Sequence, residues 1–95
     1  MFKDLDPLLH SQLRLGIISL LVSEGAVDFS RIKEVTKATA GNISVQIKKL
    51  EKAKYITVEK TFKNNYPNTQ ARITGLGLTS FEEYVENLKK YINLQ

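Results

Sequence analysis

The sequence predicts a mainly α domain with one β-hairpin, in the order helix, short helix, helix, hairpin, helix. Two observations carry that expectation. Apolar residues recur every three to four positions within residues 9–21, 43–50 and 78–92. Between the second and third of these stretches, "YITVEKTF" (55–62) alternates with a period of two and is rich in β-prone types.

The first helix starts at Asp6-Pro7, with Asp6 as N-cap and Pro7 in the first helical position. Leu9, Leu13, Ile17, Leu20 and Leu21 keep helical spacing to about Ser23, and Gly25 is a natural stop. Leu8, Leu15, Ile18 and Val22 make this helix apolar on a second side, which points to a partner subunit. In "VDFSRIKEVTKAT" (27–39), Asp28 or Ser30 caps a short helix with the apolar edge Phe29, Ile32 and Val35. Thr39 caps the next helix, which runs to about Lys52 or Ala53.

"YITVEKTF" is then a strand, "KNNYPNTQ" (63–70) a turn rich in Asn and Pro, and "ARIT" (71–74) a short return strand, so the hairpin has a long loop. Gly75 and Gly77 break the chain, and "LTSFEEYVENLKKYINL" (78–94) is the final helix. Thr79 or Ser80 caps it, with Glu82 and Glu83 in its first turn. Leu78, Phe81, Val85, Leu88 and Ile92 are spaced three, four, three and four, an a/d heptad seam. The bland reading lays that seam on the domain's own body. The other pairs it across a homodimer, because so small a chain can hardly bury both the seam and a two-sided first helix. Leu9 and Leu13 would join that dimer interface.

The chain has 95 residues, one domain spanning 1–95, with 76–95 as the dimerisation helix. Its 42% apolar content suffices for a compact core. It has no cysteine, which excludes disulfides, cysteine–zinc sites and thiol catalysis. No apolar run is long enough to span a membrane, and "MFKDLDPLLHSQLR" lacks a signal-peptide pattern, so the expected location is the cytoplasm.

Net charge is +4. Its distribution decides more than its total. Residues 1–40 balance five bases against five acids, and residues 73–95 set two bases against three acids. Residues 41–72 carry seven bases against Glu51 and Glu59. A basic excess confined to one segment of a folded scaffold is the footprint of a polyanion binder, with a solvated basic surface as the bland alternative.

"AGNISVQIKKLEKAKYI" (40–56) shows where that excess is organised. Ile43, Ile47 and Leu50 share one helical face and belong to a core. Roughly half a turn away, Gly41, Val45, Lys48, Lys49 and Lys52 cluster, flanked by Asn42 and Ser44. Two close helices with a basic second member follow helix-turn-helix logic, and B-DNA's major groove admits such a helix. Small polar residues at its start (Thr39, Gly41, Asn42 and Ser44) suit base edges and phosphates, and Lys48 and Lys49 suit the flanking backbone. Val45 is an apolar residue on that face and suits a thymine methyl. Lys60, Lys63, Asn64, Asn65, Asn68, Thr69 and Arg72 on or beside the hairpin loop supply a second contact, to a minor groove or phosphate strand. The bland reading of that loop is an ordinary hydrophilic turn.

"LDPLLHSQLRLGIISLL", "DFSRIKEVTKATAGNISVQIKKLEKAKYI" and "ARITGLG" resemble compact winged-helix transcriptional regulators related to the MarR and ArsR groups, over about residues 5–90. The most specific stretch is "TAGNISVQIKKLEKAKYI" (39–56). The resemblance implies a winged helix-turn-helix fold and a homodimer joined by its first and last helices. It implies Thr39–Lys49 as recognition helix, Lys60–Arg72 as wing, and control of transcription at a palindromic site. The chain departs from the family pattern at Lys37 and Lys54, where glycine is frequent after a helix, and at Gln46, where a histidine is expected.

An enzyme is not expected. His10 is the only histidine, and no Ser–His pairing, phosphate-cradling glycine loop or HExxH spacing exists. No cofactor or metal is expected. Asp6, His10 and Glu82 or Glu83 have no metal-ligand spacing. The four Tyr and four Phe are not spaced as a platform for single strands, so RNA ranks low. The remaining expectation is a sequence-specific regulator whose partners are double-stranded DNA and a second copy of itself. The alternative is a winged-helix module for protein contact without DNA binding, which has no need of the basic excess in 41–72. A small-molecule effector is left open, and neither "LLVSEGAV" nor "YVENLKKYINL" carries a recognisable ligand code.

Overall fold

The computed structural model describes Phe2 and residues 4–93. The last helix, expected to reach Leu94, ends at Ile92 with Asn93 as its C-cap, and Leu94 itself lies outside the described residues. The elements are α1 (Gln12–Glu24), β1 (Ala26–Asp28), α2 (Phe29–Thr36), α3 (Ala40–Lys52), β2 (Ile56–Lys63), β3 (Tyr66–Ile73) and α4 (Gly75–Ile92). Four helices and a three-stranded antiparallel sheet in the order β1-β3-β2 form a winged helix, with β2 and β3 as the wing.

α1 begins later than Asp6-Pro7 suggests. The Asp6 side chain accepts from the backbone N–H of Leu8 at 2.8 Å, and its carbonyl accepts from His10 at 2.8 Å. This closes a separate turn over residues 7–11, and helical geometry starts after Ser11. Gly25 ends α1 as expected, with φ +84° and its N–H on the carbonyl of Leu21. The two-sided apolarity of α1 is largely used inside the domain. Ile17, Ile18, Leu20 and Leu21 are all buried, because α2, α3 and the sheet surround this helix. Leu9 is also fully buried in the chain's own core, which takes it out of any surface open to a partner.

Lys37 and Lys54 stand at the ends of α2 and α3 with φ +58° and +65°. Both take the left-handed conformation that glycine adopts without strain.

The hairpin has a two-residue loop instead of a long one. Asn64 and Asn65 have φ +53° and +67°, as a type I′ turn requires, and the closing pair is Lys63 with Tyr66. Pro67 therefore lies inside β3, opposite Phe62. In a hairpin closed this way that pair is not hydrogen-bonded, so the missing N–H of Pro67 faces away from β2. β1 pairs only with Gln70–Arg72 and does not reach it.

Gly75 and Gly77 open α4 instead of breaking the chain. Thr74, not Thr79 or Ser80, is the N-cap, and its Oγ1 accepts from the N–H of Gly77 at 3.0 Å. Thr74 also donates from its backbone to the carbonyl of Tyr55 and from its hydroxyl to the carbonyl of Lys54, which ties the start of α4 to the start of β2.

The principal extents are 55 × 25 × 21 Å and the radius of gyration is 14.3 Å, against about 12 Å for a compact chain of this length. α4 alone is about 27 Å long, and its end is open: Ile92 is 72% exposed. Along the heptad seam, Phe81 and Leu88 pack on the chain's own core, Val85 is half-buried, and Leu78 and Ile92 are exposed. Leu13 is half-buried.

Candidate nucleic-acid interface

α3 has the two faces its sequence requires. Ile43, Ile47 and Leu50 are buried. Gly41, Asn42, Val45, Lys48, Lys49 and Lys52 are exposed, and Ser44 is half-buried at the margin. Val45 is 50% exposed, an apolar side chain held outward on an otherwise polar face. Thr39 is the N-cap, and its Oγ1 accepts from the N–H of Asn42 at 3.2 Å. A β-carbon at Gly41 would meet nothing within 4 Å, so the chain's own packing does not demand a glycine there.

Sequence reasoning missed the support behind this face. Gln46 donates from Nε2 to Oδ1 of Asn42 at 2.9 Å and accepts at Oε1 from Nη1 of Arg14 at 2.6 Å. Arg14 also donates from Nε to the carbonyl of Leu8 at 2.6 Å. It lies 32 positions before Gln46, and no spacing rule links two such residues.

Strand pairing sorts the wing residues by face. Val58 pairs with Ala71, Lys60 with Thr69, and Phe62 with Pro67. These pairs share the side that is buried against the core at the base of the sheet, so Lys60 and Thr69 look towards α3. With Ser44, Ile47, Lys48, Glu51, Val58 and Phe29 they line an open groove of about 560 Å³ between α3 and the wing. At the tip, Phe62 is 78% exposed on this same side.

Thr57 with Arg72, Glu59 with Gln70, Thr61 with Asn68 and Lys63 with Tyr66 occupy the outer face. There Asp28, just before α2, accepts from Asn68 Nδ2 and Gln70 Nε2, each at 3.0 Å, and from Lys63 Nζ at 3.1 Å. The hydrogen bonds from Asn68 and Gln70, with that from Lys63, hold the Asp28 carboxyl down at about 2. Asp28 is thus the residue before α2, as expected, but its side chain makes no cap bond and serves the wing instead. Of the sequence-derived wing set, Lys60 and Thr69 face α3, Lys63 and Asn68 are engaged by Asp28, Asn64 and Asn65 form the exposed turn, and Arg72 sits at the base.

Asp6 and His10 have other partners. Tyr55 donates to Oδ2 of Asp6 at 2.6 Å, and Nδ1 of His10 lies 2.9 Å from the Tyr84 hydroxyl. Among the described residues no group of three His, Asp or Glu is placed to hold a metal ion, and no helix is long and apolar enough to cross a membrane.

This arrangement has clear relatives. A transcriptional regulator homologue from Pyrococcus horikoshii OT3 superposes with a TM-score of 0.85 at 29% identity, over 90% of this chain and 85% of that one. The uncharacterized protein MJ0432 of Methanocaldococcus jannaschii is 29% identical over 76 residues, 80% of this chain and 83% of that protein. A mutant MarR from E. coli complexed with operator DNA shares the fold, with a TM-score of 0.72 at 14% identity, over 90% of this chain and 61% of that one. The family model described as a winged helix DNA-binding domain matches residues 13–92, from the start of α1 to the end of α4. That match takes in both the helix pair and the wing, and the chain accordingly belongs to the winged helix DNA-binding domain family.

Proposed function

We propose that this chain is a sequence-specific, double-stranded DNA-binding transcriptional regulator that acts as a homodimer in the cytoplasm. The carrying observation is the face of α3, where Asn42, Val45, Lys48 and Lys49 are held outward opposite a fully buried stripe. α3 enters the major groove. Asn42, Ser44 and Val45 read base edges, and Thr39 and the free N–H groups of the helix start meet phosphate. Lys48, Lys60 and Thr69 line one groove, Lys49 is exposed next to Lys48 on α3, and together they follow the adjacent backbone. Asn64, Asn65 and the wing tip reach the neighbouring minor groove, and Arg72 meets phosphate near the wing base. The relationship to regulators, one of them solved with operator DNA, supports this reading.

The dimer forms through the exposed part of the α4 seam, Leu78 and Ile92, with Val85, Phe81, Leu88 and Leu13 beside them. Two copies then place two α3 helices on half-sites about one helical turn apart, so the operator is palindromic.

The test separates positioning from reading. Lys49→Ala weakens all duplexes nearly alike and lowers the log–log salt slope by about one. Asn42→Ala or Val45→Ala costs about 1–3 kcal/mol on the preferred site and little on random DNA. Gly41→Ala stabilises the helix but weakens binding, because the added methyl obstructs close approach. An intact protein with no salt-sensitive duplex binding would overturn the proposal and leave the module as a protein-contact domain.

A further inference from the structure

We infer that Arg14 and Gln46 fix the hydrogen-bonding polarity of Asn42, so that Asn42 meets a base as a donor. This rests on the reading of α3 as the helix in the major groove. The guanidinium of Arg14 has donors only. Gln46 must therefore turn its oxygen to Arg14, and the observed 2.6 Å contact from Nη1 to Oε1 is that bond. The second bond of Arg14, to the carbonyl of Leu8, anchors the guanidinium in place. With its oxygen turned to Arg14, Gln46 presents Nε2 to its other neighbour, and this donates to Oδ1 of Asn42 at 2.9 Å. The Asn42 oxygen is thus held towards Gln46 through one of its two lone pairs. Its Nδ2 remains outward with N–H groups to give. Arg14 and Gln46 are half-buried and Asn42 is exposed, so the polarity is imposed from the interior towards the surface.

The consequence is a base preference. An asparagine with both ends free pairs with adenine through N6 and N7 together. One whose oxygen is held pairs with acceptors: O6 and N7 of guanine, or O4 of thymine. At a purine the choice turns on position 6, an oxygen in guanine and an amino group in adenine. Arg14 and Gln46 are therefore positioning residues for specificity.

The experiment selects sites from a randomised duplex library with the full chain and three variants. In the unmodified protein, the position whose preference disappears in Asn42→Ala carries guanine over adenine, or thymine over cytosine, by about five- to tenfold. Gln46→Glu inverts the relay. A carboxylate accepts from both Arg14 and Asn42, which turns the Asn42 oxygen outward and moves the preference to adenine or cytosine. Arg14→Met releases Gln46 and lets adenine in. Side-chain amide NMR of the free protein gives a readout without DNA: the Gln46 amide protons exchange with solvent more slowly than those of Asn42, and Arg14→Met removes that difference. Adenine chosen by the unmodified protein, or an unchanged base in a folded Gln46→Glu variant, overturns the inference. Polarised amides without duplex binding overturn the reading of α3 and the base assignment with it. Duplex binding with unpolarised amides overturns the relay alone.

Discussion

Gly77, in the first turn of α4, lies directly against the backbone carbonyl of Tyr55, so close that a β-carbon would overlap it. The same carbonyl accepts from the N–H of Thr74 at 3.0 Å, so it cannot move aside without loss of that bond. Gly77→Ala should therefore push α4 away from the base of the wing and destabilise the fold by about 1–3 kcal/mol. Gly75, two residues earlier, faces open space. Gly75→Ala should stabilise by about 0.5–1 kcal/mol through helix propensity. Thermal melts of the two variants on opposite sides of the unmodified protein would bear this out, and two equal shifts would contradict it.

Asp28 makes stability depend on pH in a defined window. Its carboxyl is lowered from 3.8 to about 2 in the fold, first by Asn68, then by Gln70 and Lys63. A depressed carboxyl contributes stability that is present above the unfolded value and is lost as pH falls through the folded one. The gap in melting temperature between the unmodified protein and Asp28→Asn should be full above about pH 4 and close towards pH 2. Parallel curves across that window would show that the clasp contributes nothing.

Lys37 and Lys54 hold left-handed backbones that disfavour a β-carbon. Lys37→Gly and Lys54→Gly should each raise stability by about 1 kcal/mol. Lys54→Gly should also weaken duplex binding at low salt, because it removes a cation from the basic segment. Chemical denaturation and salt-titrated binding separate the two effects.

The dimer prediction depends on which seam residue is changed. Ile92 is 72% exposed, whereas Leu88 packs on the chain's own core. Ile92→Asp should halve the mass seen in sedimentation with an unchanged far-UV spectrum, since burial of such a side chain contributes roughly 1.5–3 kcal/mol. Leu88→Asp should lower stability as well. A monomer at tens of micromolar for the unmodified chain would rule out the dimer.

What the sequence made legible was local. The cap at Thr39, the stripe Ile43, Ile47 and Leu50 and the outward Val45 follow from spacing within one helix, and the structure places them so. The errors came where a distant part of the chain decides. Three residues of β1 are too few for a period, and they are a strand only because β3 pairs with them. Three asparagines and a proline make "KNNYPNTQ" read as loop, yet only Asn64 and Asn65 turn, because the nitrogen of Pro67 faces the side of β3 that β1 does not reach. Gly77 reads as a breaker until Tyr55 is seen against it. Arg14 has no local signature at all, since its partner Gln46 is reached through folding alone.

The strand order β1-β3-β2 leaves β2 with one open edge along all eight residues from Ile56 to Lys63. Such an edge is a template on which another copy can build. Glu59, Lys60 and Lys63 are exposed along it, and charged side chains on an open edge disfavour its pairing with another copy. The lysines that suit an anionic partner should therefore also oppose edge-to-edge association of copies. A variant stripped of Lys60 and Lys63 to weaken nucleic-acid binding should precipitate at concentrations where the unmodified chain stays clear.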